Sequence, residues 1–282
     1  SHDSGTYALS TRNGVAPDRP HLQSSVWVKL FGFIVLPIMK RWTKTQNLNI
    51  TEQLINGIRY FDLRVATKER DNNLYFVHGL YANEIESICD EICSFLNTHT
   101  KEIVIIDFQH FYSVSEEQHM QLIDNLMNIF GRKVCPFDAV ESVNQLTLEY
   151  MWRNSYQVLI FYRQDQMRSY NPKLWPSRKL PNPWANTIDK RYLIEFLDEN
   201  VKRRDETAFY VTQGVLTPNN KCVILHCFSS LHTHLATDCN DTINCWLITQ
   251  RIGPKGPNVV MCDFIEWNES RIPQTVVKLN YS

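Results

Sequence analysis

The chain has 282 residues, 43% of them hydrophobic and 12% aromatic, enough to bury a sizeable core in one large domain or two smaller ones. Its formal net charge of −1 gives bulk electrostatics no hold on a polyanion, so nucleic acid is not expected as a partner. No run of eighteen or more apolar residues occurs, so no segment is expected to span a membrane.

Ser1–Tyr7, SHDSGTY, is a polar turn rich in hydroxyls. It stands at the very start, so a first strand is expected to be missing ahead of it, and no targeting segment can be judged. Ser10–Ser24, with Gly14, Pro17 and Pro20, reads as loop. Ser25–Trp42, SVWVKLFGFIVLPIMKRW, is the most apolar stretch, with Trp27 and Trp42 near its ends and Lys29, Lys40 and Arg41 as its charges. Pro37 is expected to end or kink any helix there. Two readings remain open: a buried core helix, or a helix lying on a membrane. Asn49 or Thr51 can cap a following helix, with Glu52 or Gln53 in its first turn.

Gly57–Leu80 reads as two short strands joined by a charged turn. Ile58, Tyr60, Leu63 and Val65 are apolar or aromatic, as in buried parallel strands. Asp62 and Arg64 are two apart and so share one side of their strand. Leu74, Phe76 and Val77 lead into His78, which stops at Gly79. A carboxylate, a guanidinium and an imidazole thus lie at strand ends, where α/β folds keep their chemistry. Singly, each reads as a surface ion pair or a core histidine. Together, beside Ser-His-Asp-Ser, they read as a site.

Further along, Ala82–Asn97, Glu116–Phe130 and Asp189–Arg203 have helical patterns. Lys101–Tyr112 begins as an apolar strand and delivers Asp107, Gln109 and His110; Gln157–Arg163 is another strand. Asn171–Trp184 carries four prolines and two tryptophans and is expected to be a long loop. Phe209–Leu216 and Val259–Ile265 are strands ending near Gln213 and Asp263. This alternation predicts an α/β fold with a parallel sheet, and polar residues at so many strand ends suit a (β/α) barrel. No glycine-rich phosphate loop follows any strand, which disfavours a nucleotide fold. Eight scattered cysteines suggest reduced thiols in a cytosolic protein. The Asn-x-Ser/Thr triplets at Asn49, Asn240 and Asn268 are weak evidence for secretion. Cys222, His226, Cys227, His232, His234, Cys239 and Cys245 lack paired C-x-x-C spacing, so zinc is not expected.

Two histidines, each beside a carboxylate, can serve as base and acid across one scissile bond. An arginine between them can clamp a phosphate in bidentate fashion. That equipment suits phosphodiester cleavage by an internal hydroxyl, without a metal.

SHDSGTY, GIRYFDLR, YFVHG and VVMCDF resemble the X domain of phosphatidylinositol-specific phospholipase C. TQNL, PWANT, LTP and KLNY resemble the eukaryotic subfamily that has the X domain alone. The resemblance implies a distorted TIM barrel, a single catalytic domain over residues 1–282, and a phospholipid substrate, foremost phosphatidylinositol. By it, His2 is the general base, oriented by Asp263. His78 is the general acid, supported by Asp3 and Asp62, and Arg64 holds the phosphate. Calcium-dependent relatives carry Asn in place of Asp3 and a carboxylate in place of Arg64, so no cofactor is expected and calcium independence is. Arg163 matches an inositol-contacting arginine, while Gln109 and Gln213 stand near a lysine and an acidic residue of the bacterial pattern. Tyr162, Trp184, Arg178 and Lys179 are candidates to compensate. Trp27, Phe31 and Phe33 are candidates to touch a membrane surface, and the protein is expected in the cytoplasm, peripheral at membranes. The competing readings are a metal-dependent phosphodiesterase of another lipid and a membrane-binding barrel whose activity has lapsed.

Overall fold

The computed structural model of the chain describes residues 1–68 and 71–281; the charged turn at residues 69–70 lies outside them. The strands are β1 (Ser10–Val15), β2 (Tyr60–Lys68), β3 (Asp71–His78), β4 (Leu80–Glu84), β5 (Val104–Tyr112), β6 (Val158–Tyr162), β7 (Val211–Gln213) and β8 (Val259–Met261). The helices are α1 (Pro20–Gln23), α2 (Val26–Thr43), α3 (Ile50–Ile55), α4 (Ile85–Thr98), α5 (Glu116–Phe130), α6 (Leu148–Arg153), α7 (Lys190–Arg203), α8 (Asn220–Leu225), α9 (Thr237–Thr249) and α10 (Trp267–Leu279).

β2, β5 and β6 run parallel, pairing Asp62 with Asp107 and Asp107 with Phe161. β7 and β8 form a second parallel pair. Strand pairing alone leaves the barrel open at two seams, and irregular chain bridges both. Between β6 and β7, Trp175 bridges to Phe161, and the N–H groups of Phe209 and Val211 donate to the carbonyls of Lys179 and Pro181 at 3.0 and 2.9 Å. Between β8 and β2 runs Ser1–Ser4. There the N–H of His2 donates to the Cys262 carbonyl at 3.1 Å and that of Ser4 to the Asp62 carbonyl at 3.0 Å, while the Ser1 nitrogen donates to the Tyr60 carbonyl at 2.7 Å. The result is the distorted barrel that the motifs imply.

Strand alternation sorts the side chains. Phe61, Leu63, Ile106, Phe108 and Ile160 face outward and pack on Ile88 and Ile92 of α4 and Ile123 and Leu126 of α5 in one large core. Tyr60, Leu159, Phe161, Trp175, Val211 and Met261 fill the interior. The parallel reading of Gly57–Leu80 holds only towards β5. Towards β3, β2 is antiparallel, and β3, β4 and β1 continue antiparallel as an extension beyond the barrel. A link as short as the one between β2 and β3 permits nothing else, since a parallel return needs a crossover. Ser10–Ser24 is not all loop: β1 forms there because β4 offers it an edge. Ala82–Glu84 is the end of β4, and the helix starts at Ile85. α3 is capped by Asn49, whose side chain and that of Glu52 form a reciprocal capping box.

α2 runs on through Pro37; its irregular backbone falls at Phe31, beside Gly32. The proline deprives the Phe33 carbonyl of a partner. Phe33 is 77% exposed, so that loss falls on the solvent side of the helix.

Candidate active site

Asp3 is the fulcrum. Its φ of +42° lies in the left-handed region, a conformation that non-glycine residues adopt only when their surroundings impose it. The Asp3 N–H donates to Asp62 Oδ2 at 3.0 Å, and the Asp62 N–H donates to Ser4 Oγ at 2.9 Å. Gln46 Nε2 donates to the carbonyls of His2 and Cys262, both at 3.0 Å, tying the seam to β8. Gly5 follows because nothing larger fits: a Cβ there would lie 2.5 Å from the Phe76 ring.

The Asp3 carboxylate touches three cations or potential cations. Oδ1 lies 2.5 Å from Arg64 Nε, while Oδ2 lies 3.2 Å from His2 Nε2 and 3.3 Å from His78 Nδ1. None of the three has the alignment of a hydrogen bond; those to Arg64 and His2 are ion pairs, and the His78 ring is a close polar contact. The other nitrogen of His2, Nδ1, is 2.6 Å from Asp263 Oδ1, so both its ring nitrogens face carboxylates. His78 Nδ1 donates to the Thr43 carbonyl at 2.7 Å, which leaves Nε2 for a substrate oxygen. The two imidazoles stand 6.4 Å apart.

The electrostatics follow from that geometry. Burial alone would lower the His2 pKa, but Asp3 and Asp263 outweigh it and hold it near 9. Burial, helped by the charges of Arg64 and His2, takes His78 down to about 3 against the opposing pull of Asp3. Burial would raise Asp3, yet Arg64, His78 and His2 bring it to about 2. Asp62, buried and next to the Asp3 charge, rises to about 6. The site without substrate therefore carries its imidazolium on His2 and a neutral ring at His78.

Deeper in the barrel lies a polar floor. Arg163 grips Asp107 through Nε and Nη2 at 2.9 and 2.8 Å, and Tyr60 Oη donates to the same carboxylate at 2.9 Å. Gln109 Nε2 donates to Tyr60 Oη at 3.1 Å, and Asn182 Nδ2 donates to Gln109 Oε1 at 2.9 Å. Gln213 Nε2 donates to the Asn182 carbonyl at 2.6 Å. A bulge in β5 opposite Leu63–Arg64 brings His110 level with Arg64, next to Gln109.

Of the residues singled out in the sequence, His2, Asp3, Asp62, Arg64, His78 and Asp263 converge, and Arg163, Gln109 and Gln213 join the floor. Asp62 reaches Asp3 rather than His78. Tyr162 does not reach the pocket: it is fully buried on the outer face of β6, with Oη 2.7 Å from His119 Nδ1. As the residue after Phe161 it takes the opposite side of the strand. Arg178 lies over the Phe137 ring, Lys179 donates to the Thr207 carbonyl, and Trp184 donates to Thr217 Oγ1, so none of the three is given over to the pocket. Thr43, Gln46 and Asn182 are not among the residues singled out, and Asp107 and His110 are singled out there only as strand-end residues with no role. Only Asn182, between Pro181 and Pro183 in a long loop, carried a local signal.

Among the described residues, one group of three has ligand atoms close enough to share a metal ion: His2, Asp3 and Asp62, within 4.8 Å of one another. Arg64 against Asp3 opposes a cation there. His226 and His234, from the cluster weighed for zinc, lie with ring centroids 3.9 Å apart and tilted by 31°, with His234 also edge-on to Trp42.

A barrel whose seam segment carries His-Asp into facing arginine and histidine side chains defines a class, and comparison with known proteins gives the same one. A family model described as phosphatidylinositol-specific phospholipase C, X domain, matches residues 37–163. That span holds Asp62, Arg64, His78, Asp107 and Arg163; the fold adds His2, Asp3 and Asp263. PI-PLC X domain-containing protein 3 of Mus musculus is 39% identical over 284 residues, spanning 100% of this chain and 86% of that protein. The chain belongs to this family. The fold is shared with a mutant phosphatidylinositol-specific phospholipase C from Staphylococcus aureus (TM-score 0.65, 16% identity, 98% of this chain and 89% of that one). The enzyme of the same description from Listeria monocytogenes is similar at TM-score 0.64 and 16% identity, over 99% of this chain and 91% of that one.

Proposed function

We propose that this chain is a phospholipase C-type phosphodiesterase that cleaves phosphatidylinositol to diacylglycerol and a cyclic inositol phosphate. One observation carries the reading: Asp3 stands between two imidazoles and a guanidinium, within 3.3 Å of each. His2 Nε2 takes the proton of the inositol 2-hydroxyl, whose oxygen attacks phosphorus. The bond to the glycerol oxygen breaks, and His78 gives that oxygen a proton from Nε2. Arg64 holds the non-bridging phosphate oxygens.

The resting protonation is the reverse of the reacting one, and the substrate supplies the difference. A phosphodiester anion beside Arg64 adds a negative charge near His78 and offsets the share of its depression that Arg64 and His2 add to burial. Asp3, shared by both rings, then favours the proton on His78 and releases His2 Nε2. Phosphorus NMR of phosphatidylinositol vesicles incubated with the protein tests the reading: a cyclic inositol phosphate resonance is expected. Unchanged lipid under conditions where the protein binds the vesicles would leave a lapsed, membrane-binding barrel.

No helix of the described residues is long and apolar enough to cross a membrane. α2 instead splits in two. Trp27 is 70% exposed and stacks on Phe31 at 5.7 Å, with Leu30, Phe33 and Ile34 also exposed. Leu36, Ile38 and Met39 pack on the core and Trp42 is 4% exposed, so of the two tryptophans near the ends of this stretch only Trp27 faces solvent. The first half of α2 is the proposed contact with the bilayer. Trp27→Ala and Phe31→Ala are expected to weaken vesicle sedimentation with melting temperature unchanged. Trp42→Ala is expected to cost about 3–5 kcal/mol of stability. Unchanged sedimentation of both exposed-site variants would remove α2 from the membrane contact.

A further inference from the structure

The polar floor has a direction, and it is set at both ends by groups that only accept hydrogen bonds. At one end stands the Asp107 carboxylate, paired with Arg163. Tyr60 Oη must donate to it, so Tyr60 accepts from Gln109 Nε2, and Gln109 Oε1 is left facing Asn182 Nδ2. At the other end stands the Asn182 carbonyl, which forces Gln213 to donate through Nε2 and turns Gln213 Oε1 away from it. Two independent anchors thus fix three amides. What remains uncommitted is two amide oxygens, Gln213 Oε1 and Asn182 Oδ1, and the second N–H of each of the three side-chain amides.

Asn182 is the hinge of this arrangement, touching Gln109 of β5 with its side chain and Gln213 of β7 with its backbone. It sits in the seam between β6 and β7, where strand pairing fails and the loop after β6 closes the barrel. Pro181 and Pro183 flank it and restrict its backbone. The floor's formal charges cancel: Arg163 is spent on Asp107 and on the Leu180 carbonyl at 2.9 Å. Arg178 and Lys179 are engaged elsewhere.

We propose that Asn182 is a positioning residue for the headgroup. It holds Gln109 through its side chain and Gln213 through its carbonyl, so that the floor offers fixed amide groups to ring hydroxyls and no free cation to a ring phosphate. This rests on the reading of the pocket as an inositol site. A neutral polyol, which both donates and accepts, fits such a floor, whereas an anionic substituent finds amide dipoles but no counter-charge for the hydration it must shed. Apart from its own Oδ1, Asn182 acts through the two amides it holds.

The test reads binding, so it does not depend on turnover. Soluble glycerophosphoinositol and glycerophosphoinositol 4-phosphate are titrated into the protein by calorimetry, with melting temperature recorded for each variant. The unphosphorylated headgroup is expected to bind at least tenfold more tightly. Asn182→Leu removes the side-chain amide with its Oδ1, keeps the backbone carbonyl for Gln213 and leaves Gln109 held by Tyr60 alone; the preference should shrink severalfold at an unchanged melting temperature. Asn182→Asp adds a negative charge and should widen it. Equal or tighter binding of the 4-phosphate by the wild type would overturn the proposal. So would an unchanged preference in both folded variants, or no binding of either headgroup. If the preference appears as expected but phosphorus NMR shows no cleavage of vesicles, the positioning role stands and the catalytic reading falls.

Discussion

Alanine at His2 or at His78 is expected to lower turnover of phosphatidylinositol by roughly 10²–10⁴-fold, the usual range for a lost general base or acid. The two variants should lose activity alike but differ in stability, because the resting site charges one ring and not the other. His2, held near 9 in the folded protein against an ordinary 6.5, stabilises the fold on the order of 3 kcal/mol while protonated. A raised pKa contributes fully below the unfolded value, so this term is present below about pH 6.5 and is lost as pH rises through 9. Wild type should therefore melt above His2→Ala at neutral pH, and the gap should close towards pH 9. His78 is depressed to about 3, so its linkage has the opposite sense. Wild type should lose stability as pH falls from about 6.5 towards 3, and His78→Ala should be spared that part of the loss. Neither side chain is a packing residue of the apolar core, so both variants are expected to fold. Wild-type-like cleavage by either would sink its assignment.

Most of the pocket is legible in the sequence because its residues fall at strand ends or in a motif of seven. Asp62 and Arg64 could be put on one side of a strand by counting alone. Asp263 could be linked to His2 only through the family resemblance, since 261 residues separate them. What counting could not supply was the pairing of irregular chain. Nothing in SHDSGTY says that it bridges β8 and β2, and nothing in the proline-rich loop says that Asn182 bridges β5 and β7. Tyr162 shows the cost of reading a strand end as a patch of residues. One position beyond an inward Phe161, it faces the helices. α2 admits two readings because its composition supports both: its second half packs on the core, and its first half is exposed. β1 needed an edge to pair with, which is a property of β4 rather than of its own residues.

Arg64→Lys is expected to lower turnover by roughly 10²-fold, a loss on the scale of a removed donor to transition-state charge. Lysine keeps the charge that balances Asp3 and Asp62, so the variant should fold. It loses the planar fork that meets two phosphate oxygens at once, and an ammonium presents a point charge instead. The same residue bears on the metal question. His2, Asp3 and Asp62 could in principle share a cation, and they are the residues that would hold one. Arg64 already occupies that electrostatic role: its Nε is 2.5 Å from Asp3, and the Asp3 and Asp62 charges help lift its pKa further above its ordinary value despite burial. A divalent ion would have to displace it or bear its repulsion at close range. Activity is thus expected to survive excess chelator and to gain nothing from added calcium. Arg64→Lys should remain insensitive to both while turning over slowly. Loss of cleavage on chelation, restored by calcium, would mean that Arg64 has been assigned the wrong task and that the metal-dependent alternative is correct. Full activity in Arg64→Lys would mean instead that the phosphate is held by charge alone, and the bidentate clamp would fall while metal independence stood.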